Sequence, residues 1–248
     1  MKLNHPAKRL TAALLSGAML FTLSAPALAA DPGTAPDAAP AAAAPLNEEN
    51  GSEDVVLTTK SQTLRIQWNN DSIDLTPASF TDDEPTVNVG NHALSVTYAD
   101  NVYTVALNNS SANDSLSITG YTGQDGKQPS VVFVSNNAKL TSLNVKGSKN
   151  FTAESNSGKA IDCSGDVIID CGGDVTVSST VDKAINCAKN VNITSGGNVN
   201  ITSTGSAIES REASITSGGD VTITSSDGNA ISCYGAATIN QQCNCCCC

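Results

Sequence analysis

One four-residue phrase recurs along the C-terminal half of this chain: Ala160-Ile161-Asp162-Cys163, Ala184-Ile185-Asn186-Cys187, Ala207-Ile208-Glu209-Ser210 and Ala230-Ile231-Ser232-Cys233. Successive alanines stand 24, 23 and 23 residues apart. A steady period of that size marks a solenoid, in which each repeat is one unit stacked on the next. Within each unit the apolar residues alternate, as in Val167/Ile169 and Val191/Ile193, then again after a glycine doublet at Val175/Val177 and Val199/Ile201. Period two is the signature of a half-buried strand. The doublets Gly172-Gly173, Gly196-Gly197 and Gly218-Gly219 always fall at one phase. They read as corners that need either positive φ or a close approach of neighbouring chain.

Three short strands per coil follow: Ala-Ile-x-Cys, Val-x-Ile and Val-x-Val/Ile. Stacked about 4.8 Å apart, such coils make an all-β parallel β-helix whose interior consists of like residues in columns, for example Ile161, Ile185, Ile208 and Ile231. A single coil has nothing to bury its face against, so only the stack is stable. The β-branched composition and the lack of an i, i+3, i+4 stripe exclude a helical repeat.

From its beginning, the chain opens with Lys2, Lys8 and Arg9 ahead of an apolar run from Leu10 to Leu23 and a small-residue site at Ala27-Leu28-Ala29. This predicts a secretory signal peptide over residues 1–29 and a protein that is secreted, extracellular or at the cell surface. No later stretch is long and apolar enough for a membrane-spanning helix. Cleavage would leave ten cations against twenty-four acids, a net charge near −14. Cation-led binding of nucleic acid is thereby disfavoured. Residues 30–54 are rich in Ala and Pro and then acidic, which predicts a flexible spacer. Residues 55–127 carry alternating segments such as Leu64-Arg65-Ile66 and Leu94-Ser95-Val96 without a clear period, the pattern of a β-rich cap or of irregular first coils. The repeat proper is assigned to residues 128–242, with Ser130-Val131-Val132-Phe133 standing in for the Ala-Ile-x-Cys strand of the first coil. A cysteine-rich tail, residues 243–248, closes the sequence.

Gly158-Lys159-Ala160-Ile161-Asp162-Cys163, Ser195-Gly196-Gly197-Asn198-Val199-Asn200-Ile201 and Asp227-Gly228-Asn229-Ala230-Ile231-Ser232 resemble the repeats of bacterial secreted carbohydrate-binding-domain-containing proteins built on a parallel β-helix of polysaccharide-lyase type. The resemblance covers roughly Gln128 to Ile239. It implies a right-handed parallel β-helix, binding of acidic, pectin-like polysaccharide with the help of calcium, and no catalysis. Two features depart from it: cysteines occupy a column that should be apolar or small, and the chain stops where more coils or a cap would be expected.

For calcium, which takes six to eight oxygen ligands, the residues offer two outward columns. Asp162, Asn186 and Glu209 share one phase, and Asp174, Asn198 and Asp220 share another beside the glycine corners. Asp and Asn are also ordinary corner residues. For stacking on a sugar ring, Trp68, Tyr98, Tyr103 and Tyr121 are the candidates, against the alternative that they fill a core or end cap. Catalysis has little to build on. His92 is the only histidine after the signal segment, no nucleophile elbow accompanies it, and Arg211 lies between Glu209 and Glu212 as in a surface ion pair. A pectate-lyase-like enzyme is therefore the weakest of three readings. The others are a non-catalytic binder of acidic polysaccharide and a structural or adhesive surface solenoid.

The nine cysteines fall into two groups. Cys163, Cys187 and Cys233 point inward, with Cys171 at a corner, as buried thiols or as paired neighbours. The tail run Cys243, Cys245, Cys246, Cys247 and Cys248 reads as a soft-metal ligand set, as a disulfide link to a partner chain, or as an incidental low-complexity end.

Overall fold

The computed structural model describes residues 62–89, 94–107, 113–123 and 126–242. The signal segment, the spacer, His92 and the tail cysteines lie outside the described residues. The chain begins with an antiparallel hairpin of β1 (Thr63–Trp68) and β2 (Asp71–Leu75), a 3-10 turn at Pro77–Ser79, and an antiparallel meander of β3 (Thr86–Val89), β4 (Leu94–Ala99) and β5 (Val102–Leu107). Next come β6 (Ser115–Tyr121), β7 (Ser130–Val134), β8 (Ser142–Ser148) and β9 (Phe151–Ser155). Here the pairing changes sense: β6 is antiparallel to β1 but parallel to β8, and β5 is antiparallel to β4 but parallel to β7.

From that point the coils repeat. β10 (Ile161–Cys163), β11 (Val167–Cys171) and β12 (Val175–Ser179) are followed by β13 (Ile185–Cys187), β14 (Asn190–Ser195) and β15 (Val199–Ser203). Then come β16 (Ile208–Ser210), β17 (Glu212–Ser217), β18 (Val221–Ser225), β19 (Ile231–Cys233) and β20 (Ala237–Gln241). Three sheets form the sides of a β-solenoid of about six turns. The first runs β2-β1-β6-β8-β11-β14-β17-β20, the second β18-β15-β12-β9-β7-β5-β4-β3, and the third, shorter one β10-β13-β16-β19. The parallel stack thus reaches back into residues 102–121, and what precedes it is the antiparallel β-rich start.

The register is the one that the repeated phrase demands. Ile161 lies over Ile185, Ile185 over Ile208, and Ile208 over Ile231. Val167, Val191 and Ala213 form a second column, Ile169, Ile193 and Ile215 a third, and Val177, Ile201 and Ile223 a fourth. All of these are buried except Ile231 and Ile223 in the last coils. Nearer the start the columns hold aromatics matched to small neighbours: Phe133 lies between Val105 and Ala153, and Phe151 between Val131 and Val175. Each fully buried Ile or Val contributes roughly 1.5–3 kcal/mol, and in-register columns let each coil supply the burial that its neighbour lacks.

One assignment from the sequence is corrected. Ser130–Phe133 does not occupy the Ala-Ile-x-Cys side of its coil: β7 pairs with β9, Val131 on Phe151 and Phe133 on Ala153, and so belongs to the second sheet. The third side of that coil is reduced to a single bridge between Leu140 and Cys163. A tight turn at Asn136-Asn137, both at positive φ (48° and 62°), shortens the path. Alternation identifies a strand without saying which side of a coil it forms.

The glycine doublets resolve in favour of close approach. Among the described glycines only Gly126 and Gly147 have positive φ. At the doublets, a Cβ on Gly196 would collide with the carbonyl oxygen of Gly172, and one on Gly218 with that of Gly196. Backbone stacks on backbone at this corner, which leaves no room for side chains.

Two stability measurements follow. Ile185→Ala, in the middle of its column, should cost about 2–5 kcal/mol in urea unfolding, whereas Ile239→Ala, at a residue 46% exposed, should cost less than about 1 kcal/mol. Gly196→Ala should destabilise by about 1–3 kcal/mol through overpacking; an unchanged unfolding midpoint would contradict the close-approach account.

Candidate functional site

The four candidate sugar-stacking rings do not form one exposed platform, although Tyr98 and Tyr103 are in contact. Trp68 is 6% exposed and Tyr103 is fully buried, so neither presents a ring face to solvent, which corrects their assignment to a sugar platform. Aromatic area was taken into the core instead. Tyr103 packs with Tyr98 and Phe80, at ring-centroid distances of 4.6 and 5.9 Å. Its hydroxyl donates to the carbonyl oxygens of Gln62 (3.0 Å) and Leu75 (3.4 Å). Burial, and next the proximity of Tyr98, push its ionisation well above the usual phenol range. Tyr98 is half-buried and donates to Asn101 Oδ1 at 2.9 Å. Tyr121 is 44% exposed and lies beside the Arg65 guanidinium, 5.9 Å from its ring centroid. Arg65 in turn makes a two-pronged ion pair with Asp74, at 2.6 and 2.7 Å.

The candidate calcium ligands occupy two separate ladders. On the outer face of the third sheet, Asn186 donates to Asp162 (2.7 Å) and Lys159 donates to the other Asp162 oxygen (3.0 Å). Lys183 pairs with Glu209 at 2.9 Å, so ammonium groups already answer both carboxylates. At the corner between the first and second sheets, Asn150, Asp174 and Asn198 each accept the backbone N–H of the equivalent residue one coil on. Asp174 N–H donates to Asn150 Oδ1 (3.0 Å), Asn198 N–H to Asp174 Oδ1 (2.7 Å), and Asp220 N–H to Asn198 Oδ1 (2.9 Å). Among the described residues, no group of three or more His, Cys, Asp or Glu side chains converges as a metal site.

The inward thiols are unpaired: Cys163, Cys171 and Cys187 are buried and Cys233 is half-buried, all as free cysteines. Cys163 lies directly over Cys187, and Cys187 donates to the Gly165 carbonyl at 2.8 Å. Burial raises the thiol pKa of Cys163 and Cys187 and pushes that of Cys171 from 9.0 up to about 11. Cys171 stands at a phase held by Ser148, Ser195 and Ser217 in the other coils. Those serines did not stand out in the sequence. Ser195 and Ser217 close the corner by donating to the carbonyls of Gly173 and Gly197, both at 2.6 Å. Their signal is the Ile-Thr-Ser-Gly-Gly phrase, where period two turns the serine inward.

The described surface also holds a cleft of about 610 Å³ where the antiparallel start meets the first coils. Three pieces of chain converge on it. The β4–β5 turn contributes Asp100 and Asn101, both at positive φ (53° and 64°), the geometry of a two-residue hairpin. The β6–β7 connection contributes Lys127 and Gln128, and the β8–β9 corner contributes Lys149. The walls are tied together by Ser130 N–H to Asn101 O (3.4 Å) and Lys149 N–H to Pro129 O (2.8 Å). Gln62 completes the lining. It is 6% exposed, and its Oε1 is buried with no hydrogen-bond partner among the described residues. Such an orphaned acceptor costs about 1–3 kcal/mol. Val102 is the only aliphatic side chain among the described lining residues.

These cleft residues are scattered over the sequence and carry no motif; the one trace is that Lys127 and Lys149 lie about one coil apart. No family model matches the chain, and comparisons with curated proteins and with solved structures likewise find no match.

The thiol chemistry gives a pH test. Between about pH 9 and 11 the unfolded chain loses the Cys171 proton while the folded chain keeps it, so unfolding releases protons and stability falls as pH rises. The contribution is fully present below pH 9. In Cys171→Ser, which restores the serine of neighbouring coils, the decline across that window should be shallower when followed by thermal melts, with the fold retained.

Proposed function

We propose that this chain is a non-catalytic, extracellular polysaccharide-binding protein and that its polymer is acidic. The observation that carries the reading is the lysine- and carboxamide-lined cleft, a concentration of cationic and hydrogen-bonding groups on a chain whose formal charge is −11. Its volume falls within the roughly 300–1,000 Å³ of ordinary ligand pockets. Asn101 and Gln128 supply amide groups of the kind that sugar hydroxyls need. The targeting segment places the protein outside the cell in this reading.

Two routes to an acidic polymer are distinct. Lysine ammonium groups can meet sugar carboxylates directly, or calcium can bridge them to the outward carboxylates of Asp162, Asp174, Glu209 and Asp220. The direct route is favoured because Lys149 is exposed at the cleft, whereas Asp162 and Glu209 have lysine partners and the corner ladder uses Asp174 to hold backbone. A second reading, a structural or adhesive solenoid, draws on the last described coil. There Val221, Ile223 and Ile231 are only partly buried, and no described strand covers β18, β19 or β20.

Affinity electrophoresis of the mature chain in gels containing polygalacturonate is the test. Retardation should persist in EDTA, weaken with added salt as exposed ion pairs do, and be absent in a neutral glucan gel. Loss of retardation in EDTA would move the contact to calcium. No retardation in polygalacturonate would overturn the reading, and concentration-dependent self-association in sedimentation would then favour the structural solenoid.

A further inference from the structure

Resting on the acidic-polysaccharide reading, we propose a second sugar subsite at the corner between the third and first sheets, where Tyr234 stacks on the ring of one uronate residue and Arg211 receives its carboxylate. The first observation is a break in the repeat. Three residues separate Cys163 from Val167, Cys187 from Val191 and Cys233 from Ala237, but only two separate Ser210 from Ala213. The backbone registers the missing residue. Ala188 N–H donates to Cys163 O (3.1 Å) and Tyr234 N–H to Ser210 O (3.3 Å), whereas Arg211 N–H donates to Lys189 O (2.7 Å). A short corner between two longer ones leaves a recess of about 270 Å³, whose lining includes Asn186, Ala188, Glu209, Arg211 and Tyr234. It has room for one sugar ring.

The second observation is that the fold makes no use of two side chains in this recess. Tyr234 is 94% exposed, against 44% for Tyr121, and its ring and hydroxyl have no ring, cation or hydrogen-bond partner among the described residues. Arg211 is exposed and does not form the ion pair that its flanking glutamates suggest. Glu209 pairs with Lys183 (2.9 Å), Glu212 lies against Gly235, and no carboxylate answers the guanidinium among the described residues. Arg65, Lys159 and Lys183, by contrast, all have acidic partners. An exposed aromatic face covers the apolar C–H face of a pyranose, and the planar guanidinium takes a carboxylate through two parallel N–H···O bonds. Glu209 pairs through Oε1, so its second oxygen is placed to accept a sugar hydroxyl. A methyl-esterified uronate keeps the ring and hydroxyls but loses the charge that Arg211 answers, so the recess distinguishes acid from ester.

The experiment follows Tyr234 itself, through its protection from nitration by tetranitromethane, read by peptide mass spectrometry of the full chain titrated with trigalacturonate or its methyl ester. Trigalacturonate should protect Tyr234, and the ester should need about tenfold more for the same protection. Arg211→Gln should raise the half-protecting concentration of trigalacturonate by about tenfold, and Arg211→Lys, which keeps the charge without the fork, should recover only part of that loss. Lys189→Gln, at an exposed lysine outside the recess lining, should change nothing. In polygalacturonate gels, Tyr234→Ala should be retarded less than the unmodified chain and Tyr234→Phe equally, because the ring and not the hydroxyl makes the contact. If the chain is retarded but trigalacturonate leaves Tyr234 unprotected, the recess assignment fails and the polysaccharide reading stands. Equal protection by ester and acid, or in Arg211→Gln, overturns the carboxylate contact, as does an equal loss in Lys189→Gln, which would mark diffuse charge attraction. Equal losses in Tyr234→Phe and Tyr234→Ala overturn the stacking. If there is neither retardation nor protection, both readings fall together.

Discussion

Every part of this structure depends on one constraint: a coil of three short strands cannot bury its own interior and must be covered by a coil of the same shape in the same register. Parallel pairing satisfies the backbone along the stack, and the like-on-like columns satisfy the side chains. Ile185 is buried because Ile161 and Ile208 lie above and below it. The same dependence explains why exposure rises toward β20, where Ile239 has a neighbour on one side only among the described strands.

Stacking of this kind sets demands at the corners, where the strands end and backbone groups lose their ladder partners. Three devices meet them. Paired glycines let one coil's backbone rest on the next, Asn and Asp side chains accept the N–H groups of the following coil, and inward serines donate to corner carbonyls. Asp174 and Asn198, which share a ligand-like column in the sequence, thus accept backbone N–H groups at the corner, where an unpaired backbone group would be costly. The lysines at Lys159 and Lys183 play the same part on the third sheet, answering Asp162 and Glu209.

The cleft appears where the regularity stops. Antiparallel strands meet the parallel stack at β5 and β6, and the corner ladder starts only at Asn150, next to Lys149 of the cleft lining. Regular coils close on one another, and the irregular junction leaves a cleft. The lining there brings together the buried Gln62 side chain, Lys127, Lys149 and the two-residue hairpin turn at Asp100-Asn101.

The sequence alone determined the solenoid, because period two and a repeat of 23 to 24 residues admit few other ways to bury Ile and Val. It also determined the in-register isoleucine column, the glycine corners and the inward thiols, each of which follows from a local pattern repeated at fixed spacing. Only the tertiary structure decided that Ser130–Phe133 lies in the second sheet, since alternation is blind to which side of a coil a strand forms. It alone placed Trp68 and Tyr103 in the core, and it alone brought Gln62, Asn101, Lys127 and Lys149 to one cleft. The physical reason is the same in each case. A repeat writes its contacts at a constant separation along the chain, whereas contacts across an irregular junction have no fixed separation and exist only once the coils have stacked.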